Sequence, residues 1–295
     1  MRKALRIVTC AIGLLTPALP QASGLVLETS HLIVRDNTGN LSDERLRELT
    51  GHVHETLDKV AAFWSVSSGI DRFGKIRVVF DVPRIDRYGS FLSWRRENGK
   101  PRHLLTVFVD EGSPQNIAHK LTPAVLPQAD SLIRNVMGLI TEVQVGNPLS
   151  FPMCGFSSDD WVLALLAANS YIPLKKLGPD HESWGVRKGR GGQISVFDRA
   201  KQHKAYAEAG SFGNYLFQVY GLDKIKQFHR LSHKNERPSQ DAFGLSMEEL
   251  EANWISALRV NEKAREPHVS IVAKLIEKNP SAACAEAQAI TMGKR

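Results

Sequence analysis

Long hydrophobic runs are scarce in this 295-residue chain. The apolar stretch Ile7 to Leu15 is well short of the ~20 residues that cross a bilayer, and no later segment comes nearer, so no transmembrane segment is expected. No Gly-x-Ser-x-Gly elbow occurs, and no glycine-rich phosphate loop follows a strand pattern. The signatures of a serine hydrolase and of a phosphate-binding loop are therefore missing. No basic run is interleaved with aromatics, so nucleic acid is not an expected partner. Internal repeats are absent, and cysteine is rare, with three in all.

What the chain has at its start is a processing pattern. Arg2, Lys3 and Arg6 give a basic opening, Ile7 to Leu15 an apolar run and Pro17 to Ser23 a small-residue region, so residues 1–23 read as a secretory signal peptide. Export to a periplasmic or extracellular compartment is the expectation. Cys10 would leave with the signal, and Cys154 and Cys284 remain as a candidate disulfide in an oxidising compartment. Three of the 38 basic residues and none of the 31 acidic ones lie in residues 1–23, so the remaining balance is a mild +4.

Patterning divides the rest into a mixed α/β sheet subdomain over 24–112, a helical subdomain over 113–260 and a loosely ordered tail over 261–295. Leu25 to Arg35 is strand-like. Ser42 can cap a helix whose apolar face is Leu46, Leu49, Val53, Leu57, Val60 and Trp64, at steps of three and four. His52 and His54 in that helix point to opposite sides and cannot share a metal. Lys75 to Val82 and Leu104 to Val109 are β-rich, and the polar and aromatic stretch between them reads as a short helix and a turn. Ser113-Pro114 marks a helix start. The segments Tyr206 to Tyr220, Leu222 to Lys234 and Ser246 to Leu258 read as helices. Gly221 ends the first of them, and Ser246 to Glu249 is a capping box. The patch Arg187 to Gly192 reads as a charged loop, and His229 and His233 as a solvent-facing pair.

The chemistry centres on Ile117-Ala118-His119-Lys120-Leu121-Thr122-Pro123, followed by Glu142. A helical zinc-hydrolase motif needs two His at i and i+4, a Glu after the first to activate water, and a third ligand. Here His119 occupies the first ligand position and Glu142 the third. Lys120 stands at the general-base position and Pro123 at the second His.

The segment Ala118 to Pro123 resembles the HExxH helix of the exported bacterial proteins called peptidase MA-like, in the gluzincin group. The 18 residues from 124 to 141 match that group's interval to its ligand Glu. Ile172-Pro173-Leu174-Lys175-Lys176-Leu177 is similar to its IPL segment. Tyr206 to Phe212, continuing to Tyr220-Gly221, resembles its YaqagsF…YG helix. Phe243-Gly244-Leu245-Ser246 with Leu250 to Trp254 resembles its closing element. The likeness spans roughly residues 100 to 258.

The resemblance implies an α+β, zincin-like fold: a small mixed β-sheet with a long helix, then a mostly helical C-terminal half. It places His119 and Glu142 as vestigial metal ligands and Tyr206 as a possible oxyanion contact. A cation at the base position, a lost ligand and a proline within the motif together imply a catalytically inactive relative. No cofactor is expected of it, and the helix should kink or stop at Pro123. The coincidence of a lost ligand with a gained cation suggests that Lys120 or protonated His119 pairs with Glu142. In zincins the edge strand before the motif helix pairs with extended substrate, so His103 to Val109 would bind a polypeptide or another envelope component. The alternative is an active zinc metallopeptidase with a rearranged site that recruits His103.

Overall fold

The computed structural model describes residues 26–69, 73–82, 90–109, 116–178, 180–188, 194–234 and 236–293. The first half is built on alternation. Strands β1 (Val26–Glu28), β2 (Leu32–Asp36), β3 (Ile76–Asp81), β4 (Phe91–Glu97) and β5 (Lys100–Phe108) form one sheet in the order β1-β2-β3-β5-β4. Leu32, Val34, Ile76, Val78, Phe80, Leu105 and Val107 project to one face and are buried. Helix α1 (Asp43–Trp64) covers that face with Leu46, Val53, Leu57, Val60 and Trp64. It is the crossover that the parallel pairing of β2 with β3 requires. Its start and end are local chemistry. The Ser42 side chain accepts from the Arg45 amide, and Ser65 leaves the helix in the left-handed region (φ 52).

The stretch expected to be a short helix and turn instead carries β4, antiparallel to β5 through a two-residue turn. Asn98 (φ 50) and Gly99 (φ 78) both take the positive φ of a type I′ hairpin, which suits the twist of the flanking strands. This moves the edge of the sheet. The strand expected at the edge, His103 to Phe108 within β5, lies inside the sheet between β3 and β4, and β4 is an edge strand among the described residues.

The second half is helical. Helices α2 (Ile117–Val125), α3 (Ser131–Val145), α4 (Ser158–Ala167) and α5 (Arg199–Ser232) pack together, with α5 broken at Gly221 (φ 76, ψ 171). Short helices at Leu174–Lys176 and His181–Trp184, a β6 (Val186–Lys188) to β7 (Ile194–Val196) hairpin, α6 (Pro238–Phe243) and α7 (Met247–Val260) complete it. The patch read as a charged loop thus begins as a strand, and its residues 189–192 lie outside the described residues. Trp64 Nε1 donates to Thr141 Oγ1 at 2.8 Å, tying the sheet's helix to α3. Ser113 and Pro114 lie outside the described residues. The described helix begins at Ile117, and it continues past Pro123 to Val125 rather than stopping there.

The tail is helical over most of its described length. Helices α8 (Glu262–Lys278) and α9 (Ala283–Thr291) bury Val272, Leu275, Ile276, Ala283 and Ala287 against Trp161, Leu165 and Ala207. A disulfide joins Cys154 to Cys284 within this second core. The Arg265 guanidinium reaches Asp160 (3.0 Å) and Asp159 (3.2 Å) at the start of α4.

His203 lies beside the disulfide, its Nε2 against the Pro152 carbonyl at 2.9 Å and its ring edge-on to Trp161. Burial brings its pKa down to about 4, against a smaller upward effect of the Pro152 contact. A histidine depressed in the fold is protonated more readily in the unfolded chain. Its contribution is therefore complete above the unfolded value near 6.5 and lost as pH falls towards 4. The loss is about 3 kcal/mol. Urea unfolding of the wild type and His203→Gln at pH 7 and pH 4 checks this. The stability gap between them should narrow by about that amount at pH 4, and a pH-independent gap would contradict the assignment.

Candidate functional site

Helix α2 starts poorly from its own sequence. Asn116 at its N-cap makes no side-chain cap, so the first amides of the helix need acceptors from elsewhere. Glu142, near the end of α3, supplies one. Its Oε2 accepts from the His119 amide at 2.8 Å. Its Oε1 accepts from the Asn147 amide (3.1 Å) and the Ser150 hydroxyl (2.8 Å). One buried carboxylate therefore caps α2 and fastens the turn that follows α3. Placing an anion at a helix N-terminus is also electrostatically favourable. The fit leaves no room for a side chain at Gly146, where a Cβ would stand 2.4 Å from the Glu142 carboxyl. Burial raises the Glu142 pKa, and the three donors and Lys120 oppose that rise.

The expected pairing of Glu142 with Lys120 or with a charged His119 ring is not formed. It is the backbone of His119, not its ring, that meets Glu142. Lys120 has no ion-pair partner among the described residues. Its Nζ lies over the Tyr206 ring, 5.5 Å from the centroid, a cation–π position. Burial and the Arg134 guanidinium bring the amine down to about 8, with Glu142 opposing. The reason is geometric: successive helical residues turn by ~100°, so Lys120 leaves α2 in a different direction from the motif's first position.

The His119 ring is buried, stacked on Tyr206 at 5.6 Å between centroids and 18° between planes. On its other side α3 comes close enough that a Cβ at Gly138 would lie 2.8 Å from the ring. Burial first, then Lys120 and Arg134, hold its pKa well below the usual value, with Asn135 opposing, so the ring is neutral. Its Nδ1 is buried without a hydrogen-bond partner. Tyr206 is buried among His119, Phe151 and Trp184, and burial raises its pKa.

This donor set does not fit zinc. Oε1 of Glu142 takes two donors and Oε2 a third, Pro123 offers no ligand, and no group of three His, Cys, Asp or Glu donors forms around His119 among the described residues. His103 does not complete one either. Both its ring nitrogens are buried without partners, and its ring lies edge-on to Phe73. His229, read as half of a solvent-facing pair, is buried, with Nε2 against the Pro127 carbonyl at 3.1 Å. His233 follows it at 3.4 Å. Ser150 and Asn147, the groups that occupy Glu142, carried no signal in the sequence, because an amide and a hydroxyl belong to no motif.

Beside these residues runs a groove of about 1190 Å³ along β4. Its walls include Leu92, Trp94, Arg95, His103, Pro127 and Arg134. Trp94 is 64% exposed, whereas Trp64, Trp161, Trp184 and Trp254 are fully buried. Arg35, Arg95 and Arg134 line the groove with no carboxylate partner among the described residues, while Arg77 is neutralised by Glu97 at 2.9 Å. No family model, curated protein or solved structure matches the chain.

Proposed function

We propose that this protein is an exported, catalytically inactive peptidase relative that holds an extended, acidic polypeptide segment along strand β4. The observation that carries the reading is the pairing of an exposed edge strand with a groove where Arg35, Arg95 and Arg134 have no carboxylate partner among the described residues. Over Leu92 to Glu97, β4 has no strand on its outer side among the described residues. Strand addition there needs only backbone amides and carbonyls, and Arg35, Arg95 and Arg134 favour acidic side chains. The inactive part rests on Glu142. A carboxylate occupied by two amides and a hydroxyl is a structural cap, and Lys120 faces an aromatic ring. The order of sheet, antiparallel edge strand and motif helix supports placing the chain with the zincins.

Trp94 is the natural reporter, since the other four indoles are buried. Titration with acidic, neutral and basic unstructured peptides should change its fluorescence with the acidic ones only. The response should vanish in Trp94→Phe. Arg95→Glu, at an exposed side chain with no ion-pair partner among the described residues, should weaken binding about tenfold, or 1.4 kcal/mol. Equal binding of all three peptides, or none, would end this reading.

A second reading, an active zinc peptidase with a rearranged site, has only the unpartnered Nδ1 of His119 behind it and would need further donors to move towards that ring. Chelator-sensitive cleavage of an unfolded protein, lost in His119→Ala, would establish it in place of the first.

A further inference from the structure

Far from the motif, His31, His54 and Asp58 bring three donor atoms within 4.8 Å of one another. His54 and Asp58 stand one helical turn apart on α1, on the side that meets the turn between β1 and β2, and His31 comes from that turn. His31 Nδ1 lies 3.3 Å from Asp58 Oδ1, and His54 Nε2 lies 3.6 Å from Oδ2. Both separations exceed the ~2.7–2.9 Å of a charge-assisted hydrogen bond. His31 Nδ1 in fact makes no hydrogen bond, although solvent does not reach it.

The second ring is oriented from behind. Thr29 Oγ1 sits 2.9 Å from His54 Nδ1, which presents Nε2 towards Asp58. The two rings stack 4.9 Å apart at 16°, so one nitrogen of each faces the same carboxylate. The Thr29 contact fixes the orientation of the His54 ring, as outer hydrogen bonds do for metal-bound imidazoles, and leaves Nε2 on the side of Asp58. Asp58 is 54% exposed at its side chain, which gives an ion a route in and leaves room for water. The neighbouring cation, Lys75, is engaged by Glu28 Oε1 (2.7 Å) and the Thr29 carbonyl (2.6 Å), so it is not drawn to Asp58.

We propose that His31, His54 and Asp58 form a binding site for one divalent first-row transition metal, with solvent completing the coordination. Two imidazoles and a carboxylate suit zinc, cobalt, nickel or copper and not calcium or magnesium, which take oxygen ligands. Ligands ~2.0–2.2 Å from a tetrahedral ion stand ~3.4 Å apart, so the carboxylate-to-imidazole separations of 3.3 and 3.6 Å need little adjustment. The half-exposed Asp58 and a turn of the stacked rings supply that adjustment. The ion would join the β1–β2 turn to α1, a structural tie away from the groove.

Chelator-stripped protein is titrated with Zn²⁺ by calorimetry and with Co²⁺ by visible absorption. One equivalent should bind, with a rise in Tm. His31→Ala and His54→Ala should each weaken binding by at least ~10-fold, as losing even an outer hydrogen bond to a metal ligand does. Asp58→Asn, at a half-exposed helix position, tests the same site without disturbing the histidine packing. His52→Ala, on the exposed side of the same helix, and His119→Ala should bind as the wild type does. Binding that survives His31→Ala with His54→Ala, or that is lost in His119→Ala or His52→Ala, overturns the proposal. So does wild-type protein that takes up no metal at ~1 mM, where any specific site would be filled.

Discussion

Glu142→Ala should destabilise the protein by about 4 kcal/mol, the loss expected when a buried charged acceptor is removed from its donors. The substitution leaves the His119 and Asn147 amides and the Ser150 hydroxyl without an acceptor in a site closed to water. It also empties space that Gly146 and the end of α3 are shaped around. Glu142→Gln keeps one oxygen and turns an amide donor towards the groups that bonded the other, so a loss of about 2 kcal/mol is expected there. Urea unfolding followed by circular dichroism measures both. A metal-ligand role would make the wild type, and not the variants, sensitive to chelator. An alanine variant as stable as the wild type would remove the capping account.

Replacing both Cys154 and Cys284 by alanine should cost a similar amount. The disulfide closes a loop with a sequence separation of 130. In the chain-entropy view a loop of that order restricts the unfolded chain by about 5 kcal/mol. For a chain of this size that corresponds to a fall in Tm of about 10 °C. The packing of α8 and α9 against α4 remains in the variant, so the fold should persist below the lowered transition. Scanning calorimetry of the oxidised wild type, the reduced wild type and the double variant gives the figure. A double variant that melts with the oxidised wild type would show that the apolar contacts and the Arg265 ion pairs hold the tail alone.

The parts of the fold legible in the sequence were those with one dominant period. Helix α1 announces itself through Leu46, Val53, Leu57 and Trp64 behind a Ser42 cap, and β3 through Ile76, Val78 and Phe80. Strand β4 was not legible because Phe-Leu-Ser-Trp-Arg-Arg-Glu lacks alternation. An edge strand that the main core covers only in part, at Leu92, needs little of it. Its surest sign in the sequence is the Asn98-Gly99 pair, which marks a turn but not by itself the strands on either side of it. The tail was under-read because Val272, Leu275 and Ile276 are few, and their partners are distant in sequence.

At the site, the sequence marked the right neighbourhood and not the right atoms. The spacing from His119 to Glu142 does bring the two residues together, but through a main-chain amide that no residue pattern encodes. Pro123 is expected to kink or end its helix, and α2 runs on for another two residues, because the buried contacts of Leu121, Ala124 and Val125 outweigh the amide that proline lacks.

The Cys154 to Cys284 bond also orders events in time. Residue 154 leaves the ribosome well before residue 284. At ~5–20 residues per second, the earlier cysteine waits on the order of ten seconds for its partner. Over that interval Cys154 is without its partner, and α9 carries the sulfur that completes the bond. A chain cut short before α9 would present Cys154 as an unpaired thiol, a chemical mark of incomplete synthesis that an oxidoreductase could distinguish from the finished protein.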